Sequence, residues 1–394
     1  MEMRKGASMF SYSDVERLLG SQTAARSVLS LYLAVPKDPA ELRELPARAD
    51  DAIALAVSDH GTPRGAEPSQ ALAQVTATRL GDHDEEQVRK LIEAHGREWL
   101  GHTAAIFVSG EIGLTEAIRL PGQIPERAIV AARPHVRPLL AALQRAPVYY
   151  IVIADRRHAW MFRVSGDEIE AAGSTTQSGE VRSRGFAGWY GLESYRINER
   201  VIELAHQHYQ DTAAMLERAI RPGGQEPVVI GGHEDTIAQF TAALPTGLRD
   251  RVAGSFGVDP HTMTPASVRD LAAPLIADWV AAGAERLVLA MRQDAWRRDP
   301  LTVTGLLPTL VAVSQHAVAE LLVPVGGTVP GFVCERCGVL SSTGTDCPDG
   351  PSAARWVPDL FEEMVVATIS DGGRVDAVYD PPGDVSAHLR FPVV

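Results

Sequence analysis

The residues best equipped for chemistry lie in two stretches of the sequence. One is Arg182-Ser-Arg-Gly-Phe-Ala-Gly-Trp-Tyr-Gly191, which combines cations, flat rings and backbone freedom. Arg182 and Arg184 can neutralise phosphate, and Trp189 and Tyr190 can stack on bases. Gly185, Gly188 and Gly191 let a backbone approach a crowded partner, and Arg196 and Arg200 follow one helical turn apart. The same residues also suit a solvated loop whose aromatics anchor it to its own domain. The other stretch is Cys334-Glu-Arg-Cys337-Gly338, with Cys347-Pro348 nine residues past the glycine. The first knuckle has the spacing of a zinc ribbon, which needs four ligands. A partner knuckle is incomplete here: Asp349 is a candidate oxygen ligand, and otherwise the site is lost. Any zinc at Cys334, Cys337 and Cys347 would be structural, because no neighbouring base suggests an open catalytic position.

Other constellations lead less far. Arg156-Arg157-His158 reads as a tight turn on a solvated face, or as a second basic patch for RNA. His206 and His208, two apart on a helix, face different sides and cannot readily share a metal. His233-Glu-Asp235 after Gly231-Gly232 reads as a strand-to-helix turn with Asp235 as N-cap, or as glycines that admit a phosphate near a helix N-terminus. Asp155 lacks the companion carboxylates that a two-metal nuclease needs. No Walker-type loop and no nucleophile elbow is present, and no residue is assigned a catalytic role.

The elements that must position these groups follow from the apolar pattern. Strands are expected over 27–35, 103–108, 114–120, 148–154, 159–164, 168–172, 227–231, 319–323, 375–379 and 386–391. Helices are expected over 13–19, 45–57, 69–80, 84–99, 137–143, 192–220, 236–244, 265–282, 302–315 and 360–370. Residues 286–290 fit a strand or part of a helix. The result is an α/β protein of three domains: an N-terminal α/β domain over 1–145, a middle domain over 146–263, and a C-terminal domain over 264–394. The middle domain carries a loop at 174–191 before its long helix, and the C-terminal domain carries the cysteine segment 331–350.

With 50 acids against 37 bases, the net charge of -13 disfavours diffuse binding to phosphate backbones, so a nucleic-acid contact must be a local basic patch. DNA is not an expected partner. Three clustered cysteines make no disulfide framework and fit a reducing compartment. The start of the chain lacks the apolar run of a signal peptide, and no window offers a membrane span. A cytoplasmic protein is expected.

Four segments in this order resemble the bacterial branch of the archaeo-eukaryotic class-1 release-factor superfamily, relatives of Pelota, the Vms-type hydrolases and the Balon-type hibernation factors. They are Val28-Leu-Ser-Leu-Tyr-Leu33; Tyr149 to Asp155 with Ala159-Trp-Met-Phe-Arg163; the loop and helix from Gly185 to Leu216; and Gly372-Gly-Arg-Val-Asp-Ala-Val378 with Ala387-His-Leu-Arg-Phe391. The resemblance implies an RNase-H-like middle domain and a C-terminal α/β/α domain like the kink-turn-binding ribosomal proteins. It also implies the ribosomal A site as the place of work, a translational GTPase as a partner through the third domain, and a small metal ribbon there, decayed in this chain.

In such factors a Gly-Gly-Gln tripeptide precedes the long middle-domain helix and orients water against the peptidyl-tRNA ester. Here Gly223-Gly224-Gln225 follows that helix instead, where glycine serves as a C-terminal stop. The stretch Arg182 to Gly191 before the helix keeps glycines but has no Gln in the tripeptide place. The expectation is a ribosome-associated protein acting by occupancy (hibernation, stalling or rescue) without peptide release. Two alternatives stand beside it: a peptidyl-tRNA hydrolase with a non-standard tip, and a non-ribosomal interaction protein that keeps only the fold.

Overall fold

The computed structural model describes residues 12–23, 26–58, 80–122, 124–177, 190–220, 224–344 and 354–393. The expected helix 69–80 lies almost wholly outside them, reaching them only at Leu80, which is in no helix.

The N-terminal segment comprises α1 (Tyr12–Leu19), β1 (Val28–Ala34), α2 (Leu45–Ser58), α3 (Asp82–His95), β2 (Thr103–Ser109), β3 (Leu114–Leu120), β4 (Arg127–Ala131) and α4 (Arg137–Arg145). Its sheet runs β3-β2-β1-β4, all antiparallel. Alternation on β1 decides which face each side chain serves. Leu29, Leu31 and Leu33 pack under α2 and α3, whereas Val28 and Tyr32 join α1 and α4 on the opposite face.

The middle segment holds β5 (Tyr149–Ala154), β6 (His158–Ser165), β7 (Glu168–Thr176), α5 (Tyr190–Ala219), β8 (Val228–Gly232), α6 (Glu234–Ala243), α7 (Thr246–Arg249) and β9 (Val252–Gly257). Its sheet order is β7-β6-β5-β8-β9, antiparallel from β7 to β5 and parallel from β5 to β9. Every residue of β5 is buried, as an apolar run covered on both faces must be. Next comes α8 (Pro265–Trp296), one continuous helix, so residues 286–290 are helical.

The C-terminal segment adds β10 (Thr302–Thr304), α9 (Leu306–Ser314), β11 (Val318–Pro324), β12 (Gly331–Cys334), β13 (Leu340–Ser341), β14 (Ala354–Val357), α10 (Leu360–Ser370), β15 (Arg374–Val378) and β16 (Ser386–Leu389). The order β10-β16-β11-β15 forms one sheet and β13-β12-β14 another. Residues 302–315, expected to be a helix throughout, begin instead as β10 paired with β16. Gly305 at φ 92° turns the chain into α9.

Chain contacts divide the molecule into two compact units, residues 145–283 and residues 1–144 together with 284–394. Within the second unit one apolar core runs from Tyr32, Phe107 and Leu139 to Leu310, Leu321 and Met364. Among the described residues no helix is long and apolar enough to cross a membrane.

Candidate nucleic-acid interface

The site is assembled on the middle sheet. Central strand β5 ends at Ala154, and the chain reverses through Asp155-Arg156-Arg157 into β6. The carboxylate Oδ1 of Asp155 accepts the backbone N–H groups of Arg157 and His158, both at 2.6 Å, and the N–H of Asp155 donates to the His158 carbonyl at 2.8 Å. Asp155 thus closes a turn, the usual use of an Asp side chain that bonds its own backbone two residues on. The turn pushes Arg156 and Arg157 into solvent. At its far side the N–H of Gln177, one residue past β7, donates to the Arg157 carbonyl at 2.7 Å. The two arginines therefore stand at the root of the segment that leads to the candidate tip.

That segment carries Arg182, Arg184, Gly185, Gly188 and Trp189, which lie outside the described residues. Tyr190 and Gly191 open α5, and Arg196 lies within its second turn. With 30 residues, α5 is about 45 Å long at about 1.5 Å per residue. Among its described side chains the packed stripe runs through Leu204, Ala205, Tyr209, Ala213 and Leu216. Residues 200–203 are exposed or half-buried. Arg200 is exposed and pairs with Glu203 at 3.0 Å, a surface pair of small energetic weight.

The packed stripe of α5 is held by specific contacts. The Tyr209 ring meets Phe240 of α6 edge-on at 5.9 Å. The Thr212 hydroxyl donates to the His208 carbonyl and lies 2.9 Å from the Thr175 hydroxyl on β7. The Tyr150 hydroxyl donates to the Ala219 carbonyl at 2.8 Å. At the end of β8, Gly232 has φ +150° and an added Cβ would fall 2.5 Å from the Ala154 carbonyl oxygen, so strands β5 and β8 can close only around glycine.

The histidines divide as their spacing implies. His206 is exposed beside Gln210, while His208 is buried, and burial lowers the pKa of its imidazole. Asp235 does not cap α6. His233 occupies the cap position, and Asp235 sits in the first turn, where its charge complements the helix dipole. Gly224 and Gln225 lie between α5 and β8, with Gln225 exposed, whereas Gly223 is outside the described residues.

The cysteine knuckle lies in the C-terminal segment. Cys334 ends β12 and is buried, and Cys337 is exposed in the turn to β13. The Gly338 N–H donates to the Cys334 carbonyl at 2.9 Å, which closes the turn. Cys347 and Asp349 lie outside the described residues, among which no three His, Cys, Asp or Glu gather around a metal position.

Residues 134–285, which contain the whole middle unit, match bacterial archaeo-eukaryotic release factor family 10. Over those residues the chain is similar to the release-factor superfamily. This release-factor-like chain is also similar to an archaeal translation termination factor, aRF1, at 14% identity over 96% of each chain, with a TM-score of 0.22. It is similar to archaeal Pelota in a ribosome-bound assembly with ABCE1, at 17% identity over 74% of this chain and 78% of that one, with a TM-score of 0.40. Dom34 of S. cerevisiae matches at 9% identity over 74% and 80%, with a TM-score of 0.40. No curated protein matches the chain.

Sequence reasoning missed β4, which is short and lies between prolines. It also missed a set of buried charges, His135, Arg137, Asp359 and Glu362, that joins the two halves of the larger unit. The signal was present as a basic run ending at Arg137 and three acids at the start of an otherwise apolar helix. Their partners lie more than two hundred residues apart, beyond the reach of local pattern.

Proposed function

We propose that this release-factor-like protein is ribosome-associated and enters the A site without releasing peptide, acting by occupancy in hibernation, stalling or rescue. The observation that carries this reading is the release-factor match over residues 134–285 combined with a stretch, Arg182 to Gly191, that has no Gln in the tripeptide place. Proximity lowers the barrier to ester hydrolysis only where the attacking water is held in a near-attack geometry, and the tripeptide place lacks the side-chain amide that would hold it. The arginines and rings from Arg182 to Tyr190 would meet RNA, with Arg156 and Arg157 meeting phosphate beside the start of that segment.

The three domains of this reading are residues 1–145, 146–263 and 264–394. The order β7-β6-β5-β8-β9 supports an RNase-H-like middle domain. A translational GTPase is the protein partner proposed for the third domain, by analogy with Dom34, which interacts with Hbs1.

The test is co-sedimentation of the tagged full chain with 70S particles at low salt, together with release of labelled peptide from peptidyl-tRNA. Co-migration without release is the expected result. Absence from the ribosomal fraction overturns the reading, and release abolished by Trp189→Ala but kept by Gln225→Ala would replace it with a hydrolase.

A further inference from the structure

The most heavily charged buried region of the described chain lies inside the larger unit, where residues before 145 meet residues after 284. On the first side stand Arg26, Arg127, Arg133, His135 and Arg137. On the second stand Trp356, Asp359, Glu362 and Glu363, with a run of backbone carbonyls from Pro324 to Gly327. Arg137 is 0% exposed, His135 1% and Asp359 2%, so these groups have exchanged water for one another.

The hydrogen bonds and ion pairs across this region join complementary groups. Arg137 donates to Asp359 Oδ2 at 2.7 Å and to the carbonyls of Pro324 at 2.8 Å and Gly327 at 2.5 Å. His135 Nε2 lies 3.0 Å from Asp359 and 3.4 Å from Glu362. The carboxylate of Glu362 accepts the backbone N–H of Val136 at 2.6 Å and that of Arg137 at 3.1 Å. Arg133 faces Glu363 at 3.8 Å, and the Arg26 guanidinium lies over the Trp356 ring, 4.6 Å from its centre. At the margin Gln144 brackets β15, donating to the Val375 carbonyl at 2.8 Å and accepting the Ala377 N–H at 2.9 Å.

The acids owe their place to α10. Asp359 is its N-cap and accepts the Phe361 N–H through Oδ1, while Glu362 and Glu363 fill the first turn. The helix dipole favours negative charge there. Within its own half that turn has Arg355 beside Glu363, and the remaining cations that cover it come from the N-terminal segment. Apart, the first half would bare a stripe of cations and the second three carboxylates, and a buried charge that loses its partner is strongly unfavourable.

We propose that residues 26–144 and 284–393 act as one rigid body, closed by this ionic lock, so that the third domain fixes the orientation of the first before any partner binds. The chain then carries its middle unit as an insertion into a two-part body rather than as the second of three independent beads. This inference does not rest on the ribosomal reading and needs no ribosome to test.

Hydrogen exchange of the full chain, read by mass spectrometry at neutral pH, tests it. In the unmodified protein, amides of residues 127–137 and of residues 324–329 with 359–363 are expected to open together, with protection within about threefold. Asp359→Asn, which keeps the shape and removes the charge, is expected to raise exchange at least about tenfold on both sides while leaving β5 and β8 unchanged. Arg133→Gln, at the edge of the lock, gives a smaller joint rise and serves if Asp359→Asn does not fold. Exchange of 127–137 more than tenfold ahead of the 359–363 turn in the unmodified chain would overturn the proposal. So would a rise confined to α10 in either variant.

Discussion

At the scale of single residues, the buried carboxyls of α10 set opposite pH dependences. Burial works against the charge of Asp359, but the hydrogen bond from His135 and the positive charge of Arg137 outweigh it and hold this carboxyl below its usual range. Glu363 is pushed up, first by burial and then by Glu362 and Asp359, against the pull of Arg133 and Arg355. A depressed carboxyl contributes stability above its unfolded pKa and loses it as pH falls through the folded value. A raised one contributes fully below its unfolded pKa and loses that contribution as pH rises through the folded value. Stability of the larger unit, as far as these two groups set it, is therefore expected to peak between the ordinary aspartate and glutamate values. It declines as pH rises from the ordinary glutamate value up to the raised Glu363 value, levels off above it, and falls on the acid side as pH drops below the ordinary aspartate value and Asp359 takes up its proton. Glu363→Gln should flatten the decline on the upper side and leave the acid limb in place, measured as thermal midpoint against pH. Asp359→Ala should cost about 3–5 kcal/mol by chemical denaturation, the scale of a buried pair that has lost one partner.

The helix and strand contacts make separate predictions. Tyr209 is 1% exposed and fixes α5 to α6, so Tyr209→Ala should cost about 3–5 kcal/mol, as large aromatic truncations in cores do. In the small sheet, a Cβ at Gly331 would stand 2.4 Å from Leu360 Cδ1 and 2.7 Å from the Ser341 carbonyl oxygen. Gly331→Ala should therefore cost about 1–3 kcal/mol and loosen β12 against α10, read as a lower denaturation midpoint. The exposed turn after β5 behaves differently. Arg156→Ala and Arg157→Ala remove no packing and should leave the melting temperature within about 1 °C, since surface changes away from buried features are nearly neutral.

For the whole molecule, the acidic balance limits how RNA can be held. A chain of net charge -13 has no diffuse affinity for phosphate, so binding must draw on a few placed arginines. If the proposed interface is correct, replacing Arg156 and Arg157 together should weaken ribosome binding. It should also reduce the slope of log affinity against log salt by about one per arginine lost. An unchanged slope in that titration would remove these two residues from the interface.

Much of the fold was legible in the sequence because local physics sets it. The unbroken apolar run of β5 requires cover on both faces, Gly166 and Asp167 mark the turn between β6 and β7, and the stripe from Ala205 to Leu216 makes α5 one long helix. Asp155 with two following arginines already specified a turn. Residues 302–304 read as helix because their strand partners lie at 386–388, too distant to leave a local trace. Residues 286–290 were ambiguous because Leu287, Val288 and Met291 find their apolar partners, Leu322 and Val378, only in the folded sheet. Sequence alone determined which residues carry charge and in what order. The tertiary structure decided which charges meet, because a carboxylate survives burial only opposite its cation, and Arg137 finds Asp359 only once the chain has closed.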